Sequence, residues 1–216
     1  MRLRYLSEAH ARWLQAWWKH LQPDSGVAEP APPVLARLGR GDRARLRRAA
    51  SVEELETERA AQLVVAGLRE GEWRNSAAQR WTADDAGPVL MAAGVLAAVK
   101  EDARDGKSLA WRVGNAAAIG GLVPMSELRF KRLLKARSLD EFFQSARRAV
   151  GLAMGTADVA VLADDLLAWA YEHSLREAGR PAQSMCFRWA QDYYQPLKEK
   201  DAYLAADEEP KEGERA

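Results

Sequence analysis

The sequence predicts an all-α protein: two small helical bundles with roughly eight helices and no sheet. Apolar residues recur at the spacing of an amphipathic helix along most of the 216 residues. The alternating β-branched runs that are typical of strands do not occur. A turn, RDGK at 104–107, divides this pattern. We therefore expect bundles over residues 1–105 and 106–204, followed by a disordered acidic tail at 205–216.

The first helix is predicted from the spacing of Leu14, Trp18 and Leu21, which follow one another at i, i+4 and i+7. Trp13 and Trp17 broaden the same apolar face. The following stretch, QPDSGVAEPAPP, contains four prolines and a glycine, which predicts an exposed loop.

Capping signals place the next helices of the first bundle. Ser51 begins the sequence S-V-E-E, a capping box with Glu54, and predicts a helix to about residue 70. Thr82 is followed by two aspartates and predicts the start of a helix that runs to about residue 104.

Similar signals order the second bundle. Residues 108–119 predict a short helix. Ser126 predicts the cap of one basic helix, and Ser138 forms a second capping box with Glu141. Residues 126–150 are therefore predicted to form two helices.

Two more helices complete the predicted second bundle. Asp158 predicts the start of a helix that runs to about Glu172, and Gly179 predicts its end. Pro181 suits the first turn of the final helix, since a proline there removes no intrahelical hydrogen bond.

Charge is unevenly distributed in a chain whose formal net charge is +1. Residues 1–150 carry 25 Lys and Arg against 18 Asp and Glu, and residues 151–216 carry 7 against 13. Such a split indicates a basic binding surface and an acidic tail. The lone cysteine, Cys186, fits a reducing cytoplasm, and neither a signal peptide nor a membrane span is predicted.

Histidine and cysteine provide no metal site in the sequence. His10, His20 and His173 have no metal-ligand neighbours at useful spacing, and Cys186 has no CxxC partner. We therefore expect no bound metal and no cofactor.

Two other patterns fall short of a catalytic site. The aspartate pairs at 84–85 and 164–165 point about 100° apart on a helix, and acids in a first helical turn simply favour the dipole. The glycines of LGRGDRA at 38–44 imitate a dinucleotide-binding fingerprint without the strand that must precede it. The sequence therefore predicts a protein that is not an enzyme.

Two stretches concentrate positive charge. RLGRGDRARLRR at 37–48 holds six arginines and one aspartate, and SELRFKRLLKARSLDEFFQSARRAV at 126–150 holds seven cations. In the second, Phe130, Leu133 and Leu134 share one helix face that must meet a core, which leaves the cations outside.

These clusters admit three interpretations. Arginine favours bidentate contact with phosphate, which indicates nucleic-acid backbone binding. A solvated or internally paired surface and an acidic protein partner are the alternatives. No aromatic platform accompanies the cations, so nucleic-acid binding would be sequence-independent.

A series of motifs surrounds and includes these clusters. In order they are W-x-x-L at 18–21, GDRARLRR at 41–48, S-L-A-x-R at 108–112, RFKRLLKARSLDEFFQSARRAV at 129–150, D-x-L-x-W at 165–169 and W-x-x-x-Y-Y at 189–194. In this order they resemble the CasB-type small subunit of Cascade, the type I-E CRISPR surveillance complex. No family pattern covers the loop at 22–33 or the tail.

The resemblance implies a non-catalytic helical subunit in antiviral defence. Two copies would lie side by side among the other Cascade subunits and the guide RNA. They would help to hold target DNA, chiefly the displaced non-target single strand, in an R-loop. Carried over position by position, the resemblance implies backbone contacts from Arg47, Arg48, Arg112, Arg129, Lys135, Arg147 and Arg148, to which we add their neighbours Lys131 and Arg132.

Other classes of function stay open from the sequence. A helical adaptor could bind an acidic protein partner without nucleic acid. A helix-turn-helix regulator would need a base-reading recognition helix, for which residues 108–119 are a poor candidate. A hydrolase ranks last, because no catalytic site is recognisable.

Overall fold

The computed structural model of the protein describes residues 3–23, 32–70, 72, 86–115, 123–175 and 184–195. Within these ranges the chain is helical almost throughout, which confirms the all-α prediction. Among the described helices, none is long and apolar enough to span a lipid bilayer.

The helices before residue 100 begin with α1, and a short 3-10 turn at Leu35–Arg37 separates α1 from α2. They are α1 (Glu8–His20), α2 (Arg40–Arg48), α3 (Val52–Leu55), α4 (Arg59–Arg69) and α5 (Gly87–Leu96).

The second half continues the helical pattern and adds two very short strands. Its elements are β1 (Glu101–Asp102), α6 (Leu109–Gly114), α7 (Glu127–Leu134), α8 (Leu139–Leu152), β2 (Thr156–Ala157), α9 (Val159–Leu175) and α10 (185–195).

The capping signals mark helix starts correctly. The Ser51 hydroxyl accepts a hydrogen bond from the Glu54 amide at 3.3 Å, and the Ser138 hydroxyl accepts one from the Glu141 amide at 3.2 Å. Ser126 occupies the N-cap of α7 without a side-chain hydrogen bond. The starts predicted at Thr82 and Pro181 lie outside the described residues, as do residues 24–31 of the loop predicted at 22–33 and the acidic tail.

Two predicted helix lengths are wrong. The helix expected from Ser51 to about residue 70 is broken into α3 and α4 by a turn that lets Leu55 and Ala60 both reach the core. The helix expected to reach about residue 104 ends at Leu96. The backbone beyond it pairs with a distant segment instead of continuing its own helical hydrogen bonds.

That distant pairing corrects the prediction of no sheet. Strands β1 and β2 run parallel, with Glu101 opposite Thr156 and Asp102 opposite Ala157. The Lys100 amide also donates a hydrogen bond to the Gly155 carbonyl at 2.7 Å. Because these contacts join segments more than 50 residues apart, no local sequence pattern predicts them.

Helix α5 lies at the centre of the fold, and residues 88–96 are all buried. It packs against α4, α8 and α9. A Cβ atom at Gly94 would lie 2.7 Å from side-chain atoms of both Leu55 and Phe143, so glycine is needed for this close approach. Buried side chains on both sides of residue 105 join one cluster, and the two-bundle division stays a prediction.

Two of the sequence motifs serve this core. The Trp189 indole donates a hydrogen bond to Asp165 at 2.8 Å, and the Phe142 and Trp169 rings stack at 3.9 Å between centroids. The neighbouring Asp164 carboxylate accepts backbone amide hydrogen bonds near the N-terminus. The aspartate pair considered for catalysis therefore holds helices and a terminal segment in place.

Candidate nucleic-acid interface

A basic groove opens where α2, the segment after α5 and α8 come together. We call it the first groove. Its cations come from three separate parts of the chain: Arg47, Arg48, Lys100, Arg147 and Arg148 line it. The structure thus brings together four residues that the sequence had assigned to two distant clusters.

A second groove runs between α7 and α8. Its cations are Arg129, Arg132, Lys135, Arg137 and Arg148. Arg148 borders both grooves, as do Gln144 and Gly151 on the same helix, so the grooves adjoin. We call the two grooves together the basic face.

Most cations of the basic face have side chains without an internal partner. Within the described part of the chain, the side chains of eight of them make no hydrogen bond or ion pair: Arg47, Arg48, Lys100, Arg129, Arg132, Lys135, Arg137 and Arg148. All eight are exposed. Their charges are therefore available to an anionic partner.

Arg147 differs from its neighbours because its side chain is half-buried and bonded within the chain. Its guanidinium donates hydrogen bonds to the backbone carbonyl of Ala49 at 2.6 Å and to that of Arg47, and it lies over the Phe143 ring. These carbonyls end α2, where a helix leaves acceptors unsatisfied. Burial, and then the Arg47 charge, lower the pKa of Arg147. Arg147 therefore locks α2 against α8.

Gln144 reinforces this lock one turn earlier on α8. Its side-chain amide donates a hydrogen bond to the Ala50 carbonyl at 2.5 Å. The end of α2, which carries Arg47 and Arg48, is thus fixed against the helix that carries Arg148. The packing of α2 on α8 therefore sets the relative positions of the backbone segments that carry these cations.

Two arginines of the first cluster are also used internally. Arg43 donates to the carbonyls of Ala97 and Val99 at 3.0 and 2.8 Å, just past the end of α5. Arg45 pairs with Asp42 at 2.5 Å and with Glu58 at 3.0 Å. The arginine density of residues 37–48 therefore overstates the charge that this segment offers to a partner.

Two predicted contact residues lie outside both grooves. Arg112 is 8% exposed, and its guanidinium pairs with Asp105 at 2.6 Å. Lys131 pairs with Glu127 one turn away on α7. The structure gives each of these cations a carboxylate partner within the chain.

Lys100 and Arg137 complete the basic face, although the sequence had not assigned them a role. Arg137 belongs to the second basic stretch. Lys100 stands alone before two acids, and only the pairing of the chain near Gly155 brings it to the first groove. A Cβ atom at Gly155 would lie 2.8 Å from Lys100 Cγ, so the lysine stem passes closely over this glycine.

Two acids also line the second groove. Asp140 accepts a hydrogen bond from the Val52 amide at 2.7 Å, and Glu141 accepts one from the Arg137 amide at 2.8 Å. Both carboxylates are engaged with backbone groups and lower the positive potential at their end of the groove. Across the described residues, no cluster of His, Cys, Asp and Glu could hold a metal ion.

Comparison with known proteins identifies the family. The family model of the CRISPR-associated protein Cse2 matches residues 42–194. No curated protein and no solved structure matches the chain. The match covers more than half of the chain and both basic stretches from Asp42 onward. The chain therefore belongs to the Cse2 family, the CasB-type small subunits of type I-E Cascade, a non-catalytic family of CRISPR defence.

Proposed function

We propose that the basic face binds the sugar-phosphate backbone of nucleic acid and stabilises the R-loop of Cascade. The strand held is chiefly the displaced non-target DNA strand. The chain works among the other Cascade subunits and the guide RNA, as two copies side by side. The contacts are made by the exposed cations of the two grooves and not by Arg112, Lys131 or Arg147, which have partners within the chain.

The convergence of two basic stretches carries this proposal. Residues 47–48 and 129–148 lie far apart in sequence, yet their exposed cations line adjoining grooves. A face that was merely solvated would gain from mixing charges, since like charges close together are unfavourable. Arginines without internal partners are suited to phosphate, whose oxygens accept two parallel hydrogen bonds from one guanidinium.

Modest affinity is sufficient for this role. R-loop formation exchanges one duplex for another of similar stability, so backbone contacts can shift the balance. Within an assembly, the high effective concentration of the strand compensates for a weak contact. Because phosphates are the same in every sequence, the contacts of these cations are independent of base sequence.

Charge reversal on the second groove tests the proposal. The variant Arg129→Glu/Arg132→Glu/Lys135→Glu changes three exposed residues. It should keep the fold, lower the affinity for a single strand by at least about tenfold, and shorten the R-loop lifetime of reconstituted Cascade. Affinity is measured by fluorescence anisotropy at low salt, and lifetime by strand release.

The matched control reverses three exposed cations elsewhere: Arg12→Glu/Arg37→Glu/Arg59→Glu. None of these residues lines either groove. The control has the same change in net charge and should retain most of the binding. Equal losses in both variants, or binding of an acidic protein with no binding of a strand, would contradict the proposal.

A further inference from the structure

The turn that follows α8 is built as a Schellman motif. The Gly155 amide donates to the Val150 carbonyl at 2.9 Å, and the Met154 amide donates to the Gly151 carbonyl at 3.1 Å. These are the two hydrogen bonds that close a helix when the first residue beyond its cap is left-handed. That position, which glycine usually occupies, is held by Met154 with φ of +59°.

Methionine at this position carries a conformational cost. A side chain in the left-handed region brings its Cβ close to the backbone, which glycine avoids. The cost is not offset by burial, because Met154 is 66% exposed, more than the other exposed large apolar side chains of the described chain. An exposed apolar side chain in a strained backbone conformation indicates a functional contact with a partner.

The turn that carries Met154 lies at the rim of the first groove. Gly151 and Gly155, on either side of Met154 in sequence, both line that groove. The turn is also held firmly, since the Lys100 and Glu101 amides both donate to the Gly155 carbonyl, at 2.7 and 3.2 Å. The backbone of Met154 is therefore held between two residues of the groove that Lys100 and Arg148 also line.

We propose that Met154 is an apolar subsite for a nucleobase of the strand whose phosphates lie in the first groove. This inference rests on the proposed function. A single strand carries phosphates on one edge and unpaired bases on the other, so it matches cations beside an exposed apolar side chain. Methionine suits any base, because its thioether is flexible and polarizable, and it is among the side chains that proteins insert between bases.

The test compares two probes with the wild-type full-length chain at low salt. One is a labelled 20-nucleotide deoxythymidine strand, and the other is the same strand with abasic sites, which keeps every phosphate. Wild type should bind the intact strand about fivefold more tightly, as expected for one modest base contact. Met154→Gly should bind both strands equally, with affinity for the abasic strand unchanged.

Two further variants separate binding from folding. Met154→Leu keeps an apolar side chain and should keep the preference for the intact strand. Leu128→Ala removes another exposed apolar side chain, on α7, a helix that contributes no residue to the first groove, and should change nothing. Since glycine adopts the left-handed region without steric cost, Met154→Gly should melt no lower than wild type.

The outcomes distinguish this inference from the function on which it rests. If wild type binds intact and abasic strands equally, the nucleobase subsite is wrong while backbone binding stands. A preference that persists in Met154→Gly would also overturn it. If wild type binds neither strand, the proposed function fails together with the inference.

Discussion

Helices α2 and α7 are both rich in cations, but they use them differently. Helix α2 contains five arginines. Arg43 and Arg45 bond to other parts of the chain, while the side chains of Arg40, Arg47 and Arg48 are exposed and have no partner among the described residues. Among the three cations of α7, only Lys131 has a partner, which is Glu127 on the same helix. Helix α2 therefore uses two of its five arginines to bond to other parts of the fold, whereas the cations of α7 make no bond beyond their own helix.

The surroundings of the two helices explain the difference. Helix α2 packs against α4 and α5, whose ends and loops supply carbonyls and the Glu58 carboxylate. Helix α7 buries Phe130 and Leu133 and turns its polar face outward. A cation close to unsatisfied carbonyls satisfies them, because buried acceptors without partners are costly. Charge density in a sequence is thus a poor measure of the charge offered to a ligand.

Adjacent residues Arg147 and Arg148 provide the strongest test of this comparison. Arg147→Ala removes the hydrogen bonds to the α2 carbonyls and should lower the free energy of unfolding by about 2 kcal/mol. Arg148→Ala removes an exposed side chain and should change it by less than about 0.5 kcal/mol while weakening strand binding. Urea denaturation and fluorescence anisotropy measure the two quantities.

Arg147→Lys is the informative control for that pair. Lysine keeps the charge but lacks the planar guanidinium that reaches two carbonyls at once, so it should also destabilise the fold. If Arg148→Ala destabilises the fold as much as Arg147→Ala does, the distinction between a structural and a free arginine is wrong.

Salt dependence gives a second, smaller test on α2. If five or six phosphates are contacted, the logarithm of the strand-binding constant should fall with the logarithm of salt at a slope of roughly −4. Arg48→Ala should reduce the magnitude of this slope by about 0.7, the contribution of one phosphate of a single strand. Arg45→Ala should leave it unchanged, because Arg45 pairs with Asp42 and Glu58. Equal changes in both variants would contradict the division of α2.

The smallest expected effect concerns the ion pair on α7. Hydrogen bonds from Lys131 and then from Tyr194 lower the pKa of the Glu127 carboxyl. The pair therefore adds stability above the pKa that Glu127 has in the unfolded chain, and loses it as pH falls through the lower folded-state pKa. Lys131→Ala should raise the Glu127 midpoint in a carboxyl NMR titration and leave strand affinity unchanged. A marked loss of affinity would place Lys131 among the binding residues.

Much of the helical architecture could be read from local sequence. Phe130 and Leu133 were expected to face a core from their spacing, and both are buried. The hydroxyls of Ser51 and Ser138 cap helices at the expected positions. These features are predictable because an amphipathic pattern and a cap each depend on residues within one or two helical turns.

The candidate site was predictable only in part. The motif order indicated Arg47, Arg48, Arg129, Lys135 and Arg148 as candidates, and all five line the basic face. Lys100 gave no signal, because it precedes two acids and reaches the first groove only through the pairing of β1 with β2.

The sequence by itself determined the all-α class, the helix caps, the two basic stretches and the order of motifs that indicates the family. The tertiary structure decided which cations are free. Arg147 and Arg148 are identical in type and adjacent in sequence, yet one closes the end of α2 and the other borders both grooves. Their roles differ because neighbouring residues on a helix point about 100° apart, and only the packing of α2 on α8 fixes what lies in each direction.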